Sequence, residues 1–190
     1  MRNKWLTLSL IFVLGASPVL ADDLAKFQED SRKVIKEMVS QLGSALQKEM
    51  AANGPASAIK VCKDLAPAIT SDFSRKTGQR VTRVSLKTRN PLLGSPDAWE
   101  QKVLADFAVR LEKENPSNIE FAEIVTEPQG KFMRYMKAIT MQDVCLKCHG
   151  SLETIAPQVR EQLNTEYPYD KATGYTINQI RGAFSIKKPL

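Results

Sequence analysis

The sequence predicts an α+β fold. Two amphipathic helices open the chain, strand-like alternation and helical spacing share the remainder, and no segment repeats. From Leu24 to Met50 the apolar positions are Leu24, Phe27, Val34, Ile35, Met38, Val39, Leu42, Leu46 and Met50, with Lys, Glu and Gln between them. That spacing puts one apolar stripe along a long helix. Asn53-Gly54-Pro55 ends it. A second helix carries Ile59, Cys62, Leu65 or Ala66, Ile69 and Phe73 on one face and closes near Gly78. Pro67 lies inside this run and should start a new turn or kink it, because proline brings no N–H to the helical ladder.

Arg80 to Lys87 alternates as a strand, with Thr82, Val84 and Leu86 on one side. Arg89-Asn90-Pro91 leaves it, and Ser95-Pro96-Asp97 suggests an N-cap followed by proline at the first helical position. A helix follows from Ala98 to Lys113 and stops at Asn115-Pro116. Ile119 to Thr126 and Lys131 to Ile139 read as antiparallel strands joined around Pro128-Gln129-Gly130 by a turn longer than the tightest hairpins. Met141 to Cys148 fits one or two helical turns, and Leu152 to Leu163 has helical spacing interrupted at Pro157. An irregular stretch begins at Tyr167-Pro168-Tyr169, and Ile180 to Ile186 suits a last short strand.

The amino end has the pattern of an export signal. Arg2 and Lys4 give a basic start, Trp5 to Leu14 an apolar run, and Val19-Leu20-Ala21 the small-residue spacing that signal peptidase requires. The run falls short of the about 20 residues that span a bilayer. The expected organisation is a cleaved signal over residues 1–21 and one domain over 22–190, working in a bacterial periplasm. The net charge of +6 is scattered among acidic side chains, which does not suit a nucleic-acid footprint. No later segment is apolar enough to form a transmembrane helix.

Cys145-Leu146-Lys147-Cys148-His149 carries the chemistry. Two thiols at this spacing add across the two vinyl groups of haem, and the adjacent imidazole becomes the proximal iron ligand. The competing uses of Cys-x-x-Cys fit less well. Zinc needs three or four ligands, and no second pair or second histidine completes a usual site. A dithiol redox pair has no need of His149. The expected cofactor is therefore one covalently attached haem c.

His149 is the only histidine, so two imidazoles of one chain cannot share the iron. Methionine, cysteine thiolate or an open position remain, with a lysine amine less usual. Cys62 sits on an apolar helix face between Lys60 and Lys63, whose charge would favour thiolate. A buried free cysteine packing as a small hydrophobe suits that face equally, and a disulfide to a second chain is the third use open to it. Met133, Met136 and Met141 lie near the motif in sequence, whereas Met38 and Met50 belong to the long helix stripe. Arg89, Arg134 and Arg181 are candidates to hold haem propionates, since a guanidinium forms two parallel hydrogen bonds to a carboxylate. Surface ion pairs are the plainer use of each.

Four blocks in order resemble the Tll0287-like haem domain family: Ile59-Lys60-Val61-Cys62, Arg89-Asn90-Pro91 with Pro96-Asp97-Ala98-Trp99-Glu100, Cys145 to Gly150, and Tyr167 to Tyr175 followed by Ile180 to Ile186. The resemblance runs over nearly all of the chain after residue 21. It implies a PAS-like domain, a central antiparallel sheet with flanking helices, holding c-type haem between the motif histidine and a cysteine of the amino-terminal helical part. Those roles fall on His149 and Cys62.

Three classes of function follow. A haem redox or ligand sensor would answer to a small gaseous ligand or a change of oxidation state and pass the message to a signalling or redox protein. A periplasmic electron carrier is the alternative. A haem enzyme would need an acid–base group above the iron, and no local pair announces itself. The first helix suits pairing with a second copy, as a homodimer, as well as burial on its own sheet.

Overall fold

The computed structural model describes residues 18–190, so the apolar run expected to direct export lies outside the described residues. Pro18 to Ala21, expected at the cleavage site, begin the first helix. Helix α1 (Pro18–Lys60) is two helices joined at Gly54, whose φ of 81° and ψ of 174° interrupt the ladder, with Pro55 restarting it. A π-helical turn spans Val61–Leu65, and α2 (Ala66–Thr77) ends on left-handed Gly78. Pro67 is the physical reason for the wide turn. It cannot donate to the carbonyl four residues back, and Ala66 N–H instead reaches Val61 O, five residues back.

Strand β1 (Arg80–Val84) is followed by the single turn α3 (Pro91–Gly94) and by α4 (Ala98–Arg110). A 3-10 turn at Pro116–Asn118 leads to β2 (Glu120–Glu127) and β3 (Gly130–Thr140), then α5 (Asp143–His149), α6 (Pro157–Glu166) and β4 (Ile180–Pro189). The four strands form one antiparallel sheet in the order β1-β4-β3-β2.

Both faces of the sheet are covered. Phe27, Ile35 and Met38 of α1, with Ile69 and Phe73 of α2, pack on Val81, Met133, Tyr135, Phe184 and Ile186. On the other face α4 sets Val103, Leu104 and Phe107 against Val84, Met136 and Ala183. Phe107 is fully buried, and truncation to alanine there should cost about 3–5 kcal/mol. A third cluster joins Ile59 of α1 to Ile155, Val159, Leu163 and Tyr167, with Cys148 packed against it. It fixes α6 and the segment after α5 to the end of α1.

Several local expectations change. The cap of α4 is Asp97 rather than Ser95, in a reciprocal box with Glu100, and Ser95 instead ends α3. The β2–β3 connection is the tight kind, because Glu127 pairs with Gly130 and only Pro128 and Gln129 lie between them. Gly130, at a φ of 136°, supplies the conformation that this turn needs. Pro157 starts α6 rather than interrupting a helix. β4 is ten residues long and central, bonded to β1 and β3. β1 stops at Val84, which leaves Leu86 exposed.

Candidate cofactor-binding site

A cleft of about 610 Å³ runs along edge strand β1 and is lined by the π turn, the start of α2, α3 and the end of β3. Cys62, Cys145 and His149 all line it, although more than eighty residues separate the first from the others. Helix α5 places Cys145, Cys148 and His149 three and four residues apart, on one helical face. Cys148 turns to the third cluster beside the cleft, close enough for its electrostatics to reach Cys62 and Cys145.

His149 is fixed through its backbone and its ring. Tyr175 N–H donates to His149 O at 3.0 Å, and Gly174 N–H to Gly150 O at 2.7 Å. Nδ1 lies 2.6 Å from Ala172 O. A carbonyl can only accept, so Nδ1 carries the proton and Nε2 is left as the unprotonated nitrogen. Arg181 Nε lies 3.3 Å from the same Nδ1, a contact that cannot be a hydrogen bond in that tautomer. Burial pushes the imidazole pKa well below its ordinary value, and the Arg89 and Arg181 charges act in the same direction. Neutral His149 is thus the form that this site holds. Gly150 permits the sharp exit from α5, since a Cβ there would stand 2.6 Å from Leu146 O.

The Cys62 thiol is pushed up by burial, with Arg83 and then Arg89 opposing it. Its cationic neighbours are arginines rather than the lysines beside it in sequence. Lys63 is paired with Glu166 at the surface. Among the described residues no group of three or more His, Cys, Asp or Glu side chains is placed to hold a metal ion.

The three arginines singled out from sequence separate. Arg89 lines the cleft and bonds Asp170 at 3.0 Å, Cys148 O at 2.6 Å and Ala172 O at 3.4 Å. Arg181 also lines it and donates to Lys87 O at 3.0 Å. Arg134 is not brought there. It is 2 % exposed on the α4 side, bonded to Asp97 and Glu127, 3.3 Å from Glu100 and stacked 4.2 Å over Trp99. Of the methionines, Met141 lines the cleft, whereas Met133 and Met136 fill the two cores. Tyr175 stands edge-on to His149, Tyr135 donates to Glu120, and Tyr169 is exposed.

Arg83 and Tyr167 also line the cleft and had no role in the sequence reading. The signal for Arg83 was its place in β1. The alternation assigned only the Thr82 side to the interior, whereas helices cover both faces.

The model of the Tll0287-like family matches residues 20–189. The chain belongs to the Tll0287-like family. Its PAS-like architecture is similar to the crystal structure of the cyanobacterial heme-protein Tll0287. That likeness has a TM-score of 0.63 and 20% identity over 92% of this chain and 97% of that one. At this identity the likeness speaks for the fold. No curated protein matches the chain. Among the described residues no helix is long and apolar enough to cross a membrane.

Proposed function

We propose that this chain carries one haem c, thioether-linked at Cys145 and Cys148 with His149 and Cys62 as axial ligands, and acts as an exported redox or small-ligand sensor. The observation that carries the reading is the single cleft in which Cys62, Cys145 and His149 meet. The donor set fits the group: a neutral imidazole held by Ala172 O, thiols on one helical face, and arginines for the propionates. The family's structurally similar member is named a heme-protein, which agrees with this assignment.

Haem bound here supplies a redox-active iron. The residues around it divide the work. The Ala172 carbonyl keeps the proton on Nδ1 and raises the basicity of Nε2. Arg89 ties Cys148 and Asp170 together, fixing the attachment segment. A Cys62 thiolate would favour the ferric state, and its place in a π turn would let the sulfur be released by a local change of helical register. Release of Cys62 would free the α1–α2 junction from the cleft. That is how oxidation state or a gaseous ligand would become a shape that a redox or signalling partner can read.

Absorption and paramagnetic resonance spectra of the exported, haem-loaded chain test this. Cys62→Ala should abolish thiolate features in the ferric state while haem stays attached, and unchanged spectra would reject Cys62 as a ligand. Reduced protein should bind carbon monoxide. Fast electron exchange with no ligand change in either state would point instead to an electron carrier.

A further inference from the structure

The arginines of the cleft differ in what they already hold. Arg89 has a carboxylate and two carbonyls, Arg181 has a carbonyl, and Arg134 is elsewhere with three carboxylates. The Arg83 side chain lines the cleft half-buried and makes no hydrogen bond or ion pair with any described residue. It stands on β1 opposite Phe184, on the face that the amino-terminal helices cover, within electrostatic reach of Cys62 and Tyr167. Burial lowers its pKa from the ordinary value, the mark of a cation losing hydration without a compensating anion. Arginine stays charged in proteins, so such a group is satisfied by an anion rather than by losing its proton.

We propose that Arg83 receives an ionised carboxylate of the molecule seated in the cleft, a haem propionate. The inference rests on the haem reading above and deepens it. Charge balance supports it. Arg83, Arg89 and Arg181 line the cleft, and of the three only Arg89 is paired with a carboxylate, Asp170. Two guanidinium charges are left without an acid, and haem brings two carboxylates. Arg181 is partly engaged by Lys87 O and lies beside the His149 ring, whereas the Arg83 guanidinium has no hydrogen-bond partner among the described residues. A planar fork matches a carboxylate through two parallel bonds. Arg80 also lines the cleft, but it is exposed and keeps its water.

The test titrates the full chain, thiols reduced, with haem and with haem dimethyl ester, which cannot offer a carboxylate. Arg83→Gln should weaken haem binding by about tenfold to a hundredfold, the size of one hydrogen bond to a charged group, and leave binding of the ester within about twofold. Arg83→Lys keeps the charge without the fork and should recover part of the loss. Circular dichroism of each variant checks that the fold is retained. Resonance Raman spectra of the covalently loaded chain give a second readout, since the propionate bending band should shift in Arg83→Gln. Equal losses for haem and ester would mean that Arg83 serves the Cys62 sulfur or the fold, and would overturn the proposal. So would unchanged haem affinity together with an unmoved propionate band. Wild-type chain that binds haem in neither setting would sink the haem reading itself, an outcome separate from haem binding that ignores Arg83.

Discussion

The wall of the cleft that carries His149 is held by two other parts of the chain, the 170–175 segment and Arg89, whereas the wall that carries Cys62 is one π-helical turn with no buried residue in it. On the first wall, Ala172 O takes the ring proton, the 174–175 backbone bonds to 149–150, and Arg89 ties Cys148 to Asp170. On the second, the tie outside the turn is the Lys63–Glu166 pair at the surface, and pairs of this kind contribute little. The asymmetry assigns roles. A ligand that must stay belongs on an over-determined segment, and one that must leave belongs where changing its helical register breaks few bonds. The Gly54 kink and Pro67 flank the π turn, and neither belongs to the sheet core.

The largest effect should come from the fixed wall. Arg89→Met leaves Asp170, whose side chain is 11 % exposed, without its cation, and strips Cys148 O and Ala172 O of a donor. Removing one partner of such a pair costs about 3–5 kcal/mol, which urea unfolding of the chain would read directly. A loss below about 1 kcal/mol would mean that the 145–175 segment is held by packing alone. Gly150→Ala should come next. Its Cβ would meet Leu146 O at 2.6 Å and Thr154 Oγ1 at 3.1 Å, so α5 or the following turn must shift, at about 1–3 kcal/mol. Full stability in that variant would show that the exit from α5 is looser than its geometry implies.

The same contrast explains what could be read from the sequence. Helices α1, α2 and α4, the β2–β3 hairpin and the motif helix follow from local periodicity and punctuation, which act over a few residues. The errors fell where a distant neighbour decides. The cap at Ser95 is the local exception, since Asp97 has Glu100 three residues on to complete the box. Ile180 to Ile186 looked like a short terminal strand, and pairing with β1 and β3 makes it long and central. For the site, the Cys-x-x-Cys-His run stood out because its residue types and spacing are local, and the fold places Cys145 and His149 of that run in the cleft. The arginines were legible in part: Arg89 and Arg181 line the cleft, but a guanidinium is assigned by whichever carboxylate the fold brings to it. Arg134 met Asp97, Glu100 and Glu127 on the wrong side of the sheet, and Arg83 met none.

The smallest effect, and the sharpest test of the asymmetry, is a pair of truncations in the chain before haem is attached. His149→Ala removes a buried ring and leaves Ala172 O without the imidazole donor, a loss of about 1–3 kcal/mol. Cys62→Ala removes one sulfur from a turn that faces the cleft and has no hydrogen bond from its thiol. It should therefore cost about 1 kcal/mol or less. Urea midpoints of the two variants, measured with equal slopes, give the difference. Hydrogen exchange gives it residue by residue, with amides of 61–65 opening more readily than those of 145–150. If Cys62→Ala proved as costly as His149→Ala, the π turn would be part of the rigid frame. Ligand release from that side would then require unfolding rather than a change of helical register.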